Sequence, residues 1–392
     1  MKILFLSRWF PYPANNGSKL RVYNLLRGLS QHHDVTLLSF TDQPQASQEA
    51  SEIRSLCRDV QVVPWREFNP RGWRSLLGFL SVKPRSIVDT FSPEMARKIT
   101  QQLTGEVYDL VVASQLTMAA YFTYFKDVPA VFEEVELGLS DDTAFESVDI
   151  KKRIRLTLTW FKLRSYLSRL LSRFRACVVA SEQERQLIVE NFPAYKNQIE
   201  VISNCVNIGD YQGLNLASKP NSLIFSGSFR YLANYEAMQW FVRDAYPLIL
   251  RKIPEACLTI TGDHANLPLP SDQNISLAGY VDDIKSLIAS SSVSIAPLRS
   301  GGGTRLKILE AMAIGTAVVS TSKGAEGLDV QNGKHLLVAD DPEKFADCVV
   351  KVLQDDDIRQ QLAGNAGKLV REKYDWLVVM PRFLKLLETV AA

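Results

Sequence analysis

Short apolar runs rich in β-branched residues alternate with longer amphipathic stretches along almost all of this 392-residue chain. A strand covered on both faces reads as a continuous apolar run, and its parallel neighbour is reached only through a crossover, usually a helix. The alternation therefore implies parallel sheets with helices on both faces. The runs fall at 2–7, 35–40, 60–64, 108–114, 128–133, 176–181 and 199–203, then at 222–227, 257–262, 275–278, 293–298, 317–321 and 335–339. Helices are expected at 17–31, 182–192, 234–252, 304–314, 341–353 and 356–373. Between the two sets, 204–221 is rich in Gly, Asn, Ser and Pro without periodicity, the composition of a linker. The expected fold class is α/β: two Rossmann-like doubly wound domains, 1–203 and 222–370, facing each other across a cleft. Ligands of such sheets bind beyond the carboxyl ends of the strands, so the cleft is the default site.

Composition removes several classes. With 46% hydrophobic and 22% charged residues the chain is neither disordered, collagenous nor a coiled coil. Its 45 basic and 43 acidic side chains exclude a strongly basic nucleic-acid binder. Five scattered cysteines with no C-x-x-C imply neither a disulfide framework nor a zinc site, and suit a reducing compartment. The apolar start is too short for a signal peptide and is interrupted by Arg8, and no apolar run reaches about eighteen residues. The expectation is a soluble cytoplasmic protein. A G-x-G-x-x-G fingerprint is absent after the first strand, which argues against a dinucleotide enzyme.

The strand at 293–298 runs into Arg299-Ser300-Gly301-Gly302-Gly303-Thr304-Arg305-Leu306-Lys307, and Glu310 follows. Glycines let a ligand approach the main chain, and a following helix offers free N–H groups and a partial positive charge. Two cations at a helix N-terminus are unfavourable unless an anion sits there, and a diphosphate would account for them. Glu310 lies on the same face, suited to accept from ribose hydroxyls. The bland alternative is a flexible loop capping a surface helix, with Lys307 and Glu310 an ordinary i,i+3 pair.

From Pro297 through Thr321, followed by Gly324-Ala-Glu-Gly-Leu328, the sequence resembles the C-terminal signature of the group 1 (family 4) glycosyltransferases, retaining enzymes of the GT-B fold. The likeness covers nearly the whole chain. It implies that Glu310 holds the donor ribose, that the backbone amides of Gly303, Thr304 and Arg305 meet the diphosphate, and that Gly279-Tyr280-Val281 contacts the base. Gly324 and Glu326 would close the donor side, and Gly17 matches the family's glycine loop, although Gly17 as a turn residue after an Asn16 N-cap reads equally well. The co-substrate implied is a nucleoside-diphosphate sugar, UDP or GDP, with no cofactor and no metal. The acceptor hydroxyl would bind 1–203, and a terminal helix, 371–392, would cross back to that domain.

The departures from the pattern are specific. Gly302 stands where the family commonly has a sugar-contacting glutamate. The basic pair after the first strand of the second domain is missing, the chain reading Ser226-Gly227-Ser228-Phe229-Arg230. Arg305 and Lys307 would replace that charge, with Gly227 and Arg230 as further donor-side candidates. The histidine often found after the strand at 108–114 is replaced by Gln115, which can still donate to the sugar. A front-face transfer, in which the departing phosphate oxygen takes the acceptor's proton, tolerates that loss because electrostatic stabilisation of the leaving group supplies most of the catalysis. Arg305, Lys307 and Gln115 are thus the candidate catalytic set.

Three other features are read against bland alternatives. Glu133-Glu134-Val135-Glu136 either orients an acceptor hydroxyl or, the favoured reading, is a solvated loop or a partner for nearby basic residues. Asp355-Asp356-Asp357 reads as a helix cap and not a metal site. The stretch 151–175 holds nine Lys or Arg and no acid, interleaved with apolar residues such as Leu158, Phe161, Tyr166, Leu170 and Phe174. That is the composition of an interfacial helix on an anionic membrane, at the inner face of the plasma membrane, and it suits a lipid-linked acceptor in polysaccharide or glycolipid assembly. The segment 71–80 points the same way. Alternatively, seven acids within 133–149 neutralise the helix internally. Two further functions stand beside transfer: a catalytically silent sugar-nucleotide binder partnering another transferase, and a nucleotide-sugar epimerase.

Overall fold

In the computed structural model every one of the thirteen apolar runs forms a strand. The structure describes all residues except 44, 46–49, 136–149, 212, 215, 271, 272 and 304, and the side chains of 150–156. Among the described residues the strands are β1 (Lys2–Ser7), β2 (Asp34–Thr41), β3 (Asp59–Pro64), β4 (Leu110–Ser114), β5 (Ala130–Glu133), β6 (Ala176–Val179) and β7 (Ile199–Val201). They are followed by β8 (Lys219–Ser226), β9 (Cys257–Thr261), β10 (Ile275–Gly279), β11 (Ser291–Ala296), β12 (Ala317–Ser320) and β13 (Leu337–Val338). The chain divides into two compact units, Met1–Ile202 with Met380–Ala392, and Ser203–Val379.

The first unit holds a sheet of order β3-β2-β1-β4-β5-β6-β7 and the second one of order β10-β9-β8-β11-β12-β13. Every ladder is parallel, as in Ile3 against Val35 on one side and Leu110 on the other. Chain order reverses at β1/β4 in the first sheet and at β8/β11 in the second. There the loops leaving adjacent strands diverge and open a crevice at the carboxyl ends. Strands such as β4 and β11 are buried at every residue, which is why they read as unbroken apolar runs.

Two boundaries differ from expectation. The segment 204–221 is built into the second unit: Asn204, Cys205 and Val206 are buried, Ile208 and Tyr211 pack on its core, and β8 already starts at Lys219. Val206 donates to the Tyr374 carbonyl at 2.9 Å and accepts from the Trp376 N–H at 3.2 Å, so polar composition here accompanies paired backbone. At the other end the helix Asp356–Lys373 passes residue 370, and the last helix, Trp376–Ala391, changes unit at Met380. Met380 packs on Gly28, where a Cβ would overlap the thioether, and Phe383, Leu387 and Val390 are buried.

Candidate active site

In the second unit the glycine-rich turn leaves β11 at the switch point, beside the loop that leaves β8. Gly301 (φ +87°) and Gly303 (φ +83°) lie in the left-handed region that favours glycine, and a Cβ on Gly301 would overlap the Tyr231 hydroxyl. Gly302 and Gly303 are exposed. Arg305, only 6% exposed, immediately precedes the helix Leu306–Ile314. Its guanidinium donates to the carbonyls of Gly301 at 2.7 Å and Gly302 at 2.9 Å. In a trans peptide the N–H opposes the C=O, so the N–H groups of Gly302 and Gly303 are directed away from Arg305. Arg305 thus braces the turn with the Gly302 and Gly303 amides on the opposite side, a geometry suited to an anion. This bracing stands beside the direct charge contact expected of Arg305. Thr304 lies outside the described residues.

Lys307 and Glu310 do not form the surface pair of the bland reading, and among the described residues they make no ion pair. The Lys307 ammonium donates to Asn234 Oδ1 at 2.9 Å and lies 4.0 Å from the Phe225 ring centroid. Asn234 is held in turn by donating to the Ser228 carbonyl at 2.8 Å. Burial, with Arg305 nearby, pushes Lys307 down to about 7, while burial pushes Glu310 up to about 7 against the attraction of Lys307. Tyr211 hydrogen-bonds Glu310, and burial raises its phenol. Tyr211, Asn234 and Phe225 lie far from the glycine turn in sequence, and nothing in the sequence marked them.

Gly227, Gly262 and Gly279 follow or end the neighbouring strands β8, β9 and β10. Gly262 donates to the Gly279 carbonyl at 2.7 Å, and a Cβ on Gly262 would stand 2.7 Å from the Gly227 backbone. Gly227 is covered by Lys307 and Asn234, whereas Gly279 leaves the carboxyl edge open. Tyr280 projects from it, 76% exposed, with Val281 half-buried. Arg230 is exposed and paired with Asp263, whose carboxyl is held below its usual range by the Ala265 N–H and then by Arg230. Arg230 therefore carries its own counter-ion. A cavity of about 640 Å³ lies two strands from the turn, lined by Ser322, Ala325, Leu328 and Asp340 among others, next to Gly324 and Glu326.

In the first unit Gln115 follows β4 at φ +68° and Glu134 follows β5 at φ +57°, two left-handed residues joined by Gln115 Nε2 donating to Glu134 Oε2 at 2.8 Å. Glu133 is fully buried, accepting from Arg21 Nε at 2.5 Å and from Ser114 Oγ at 2.6 Å. The acidic run is thus a partner for a basic residue and not a solvated loop; Glu136 lies outside the described residues. Asn16 caps the helix Gly17–Leu29 by accepting from Lys19 N at 2.9 Å, and Gly17 is the first residue of that helix.

Comparison with known sequences decides the family. The model described as Glycosyltransferase Family 4 matches residues 15–210, half of the chain, and that described as Glycosyl transferases group 1 matches 220–355. The chain belongs to glycosyltransferase family 4. An uncharacterized 44.6 kDa protein in the cps region of Klebsiella pneumoniae is 22% identical over 390 residues, 95% of this chain and 96% of that one. A phosphatidyl-myo-inositol mannosyltransferase of Mycobacterium tuberculosis is 33% identical over 162 residues, 38% of this chain and 42% of that one. Among solved structures Anabaena HepE in complex with UDP superposes with a TM-score of 0.67 at 15% identity, over 99% of this chain and all of that one. This likeness shows the fold, which is GT-B.

Two remaining expectations meet this family-4 chain differently. Asp355 caps the helix Asp356–Lys373, accepting from Ile358 N at 3.0 Å, as its acidic run suggests. The basic stretch forms the helix Ile150–Leu171, but Tyr166, Leu167, Leu170, Leu171 and the following Phe174 are buried in the core. Their i, i+3, i+4 spacing is that of a helix facing its own domain. Exposed apolar residues on the described part are Leu158 and Phe161. Its charges at 151–155 and the acids at 136–149 lie outside the described side chains. No described helix is long and apolar enough to cross a membrane.

Proposed function

We propose that the protein transfers a hexosyl group from a nucleoside-diphosphate sugar to a hydroxyl acceptor, retaining the anomeric configuration, in polysaccharide or glycolipid assembly. The observation that carries this reading is the turn braced by Arg305, with the Gly302 and Gly303 amides on the opposite side, beside a desolvated lysine. The diphosphate sits on the N–H groups of Gly302 and Gly303 and pairs with Lys307. Glu310, steadied by Tyr211, accepts from the ribose, and the base lies along Gly279, Tyr280 and Val281. As the bond from the anomeric carbon to phosphate breaks, negative charge grows on the leaving oxygen, where Lys307 and the turn amides meet it. That oxygen takes the acceptor's proton as the new glycosidic bond forms on the same face, so no protein base and no metal enters the scheme. The first unit takes the acceptor, with Gln115 and Glu134 at the carboxyl ends of β4 and β5. The observed binding of UDP by HepE favours UDP as the first donor base to test.

The test is thermal unfolding with UDP, GDP, ADP, their common sugars and NAD. One nucleoside diphosphate at about a hundred times its dissociation constant adds about 2.7 kcal/mol, a shift of several degrees, and NAD adds none. No shift with any nucleotide would overturn the site, and a shift without transfer to any hydroxyl acceptor would favour the silent-partner reading.

Gly227→Ala supplies a local check. Its Cβ would come 2.7 Å from Lys307 Nζ and 2.8 Å from Asn234 Nδ2, so the ammonium must move. Calorimetric affinity for the nucleoside diphosphate should fall about tenfold, some 1.4 kcal/mol. Unchanged affinity would remove Lys307 from the phosphate site.

A further inference from the structure

Residues 71–83 present Trp73, Leu76, Leu77, Phe79, Leu80 and Val82 to solvent, Leu80 being 90% exposed. The same thirteen residues contain three cations, Arg71, Arg74 and Lys83, and no carboxylate. The display is fixed in place. Arg85 donates to the Pro70 carbonyl at 2.6 Å and the Ser75 carbonyl at 3.0 Å, and its guanidinium covers the Phe79 ring at 4.0 Å. From the helix Ile150–Leu171, Lys162 donates to the Gly78 carbonyl at 2.6 Å. That bond fastens the segment to the helix carrying exposed Leu158 and Phe161, where residues 157–164 also hold cations and no acid.

A folded protein rarely leaves so many large apolar side chains together in water without a use. Apolar tips interspersed with cations match one environment in particular: the acyl boundary beneath anionic headgroups. We propose that residues 71–83, fastened to the neighbouring helix by Lys162, are the docking surface of this protein on an anionic lipid bilayer. The surface differs from the one expected of 151–175, whose C-terminal apolar face is in the core. The inference stands independently of the donor site and goes beyond it.

The experiment is sedimentation of the full chain with vesicles of phosphatidylcholine, alone or with about one third phosphatidylglycerol. Partitioning onto the anionic vesicles should be at least about tenfold stronger, and should weaken as salt screens the cations. The double substitution Leu77→Ser with Leu80→Ser should lower it at least about tenfold, since two leucines no longer enter the apolar layer. Both positions are more than half exposed, so the melting temperature should stay where it is, and an unchanged nucleotide-induced shift would confirm an intact second unit. Equal binding to neutral and anionic vesicles overturns the proposal. So does absence of vesicle binding together with dimerisation, by light scattering, that the double substitution abolishes; the surface would then join two copies of the chain.

Discussion

Replacing Lys307 with methionine should weaken nucleoside-diphosphate binding by about 30- to 100-fold and yet raise the melting temperature of the ligand-free protein. The first effect follows from losing a charge-assisted contact in a partly dry site, where such bonds contribute about 2–3 kcal/mol. The second follows from what the site does to the lysine when empty. Lys307 is drawn from its ordinary 10.5 to about 7, chiefly by burial. Its folded value lies below its unfolded one, so between about 7 and 10.5 the unfolded chain binds more protons and stability rises with pH. Below 7 the whole penalty is present. Methionine keeps the packing on Phe225 and removes that penalty. The gain, about 1 kcal/mol or 2–4 °C after the lost Asn234 bond is subtracted, should be largest near pH 6 and fade towards pH 9. Calorimetric unfolding across pH, with and without nucleotide, measures both effects. A methionine variant that is less stable at pH 6, or that binds nucleotide as before, would show that Lys307 is structural.

That contrast explains which parts of the molecule were legible in the sequence. All thirteen strands could be read because parallel strands buried on both faces cannot hide their apolar character. The glycine turn could be read because three glycines, two cations and a carboxylate have no cheap explanation together. What the cations do was not legible. Arg305 turns back on the carbonyls of Gly301 and Gly302, a consequence of loop conformation, and Lys307 finds Phe225 and Asn234 only through the sheet order β8-β11. Tyr211 was hidden by a segment whose Gly and Asn content imitates a linker, although its backbone neighbourhood is paired to Tyr374 and Trp376. The basic helix was ambiguous for a related reason. Interleaved cations and apolar residues describe a membrane face and a domain-facing helix equally well until the neighbours of Tyr166 and Leu170 are known.

The largest stability effect should come from the first unit, where Arg21→Met should unfold the protein roughly 6–20 °C earlier. Arg21 is 1% exposed and Glu133 fully buried, with 2.5 Å between Nε and Oε1. Removing the guanidinium leaves a carboxylate without its cation in a dry position at the end of β5, and breaking one partner of such a pair costs about 3–5 kcal/mol. The interaction also ties the helix Gly17–Leu29 to β5, next to Ser114, which donates to the other carboxylate oxygen. A charge argument can be separated from a packing argument in the same background. Adding Glu133→Gln to Arg21→Met removes the stranded charge while keeping an acceptor for Ser114, and should restore most of the lost stability. If the double variant melts as early as the single one, the loss comes from the missing side-chain volume of Arg21 and not from the ion pair. If it recovers stability but not transfer, Arg21 acts as a positioning residue for the neighbouring Gln115–Glu134 pair. A lowered kcat with little change in KM for the donor would show this, because the proposed donor site lies in the other unit.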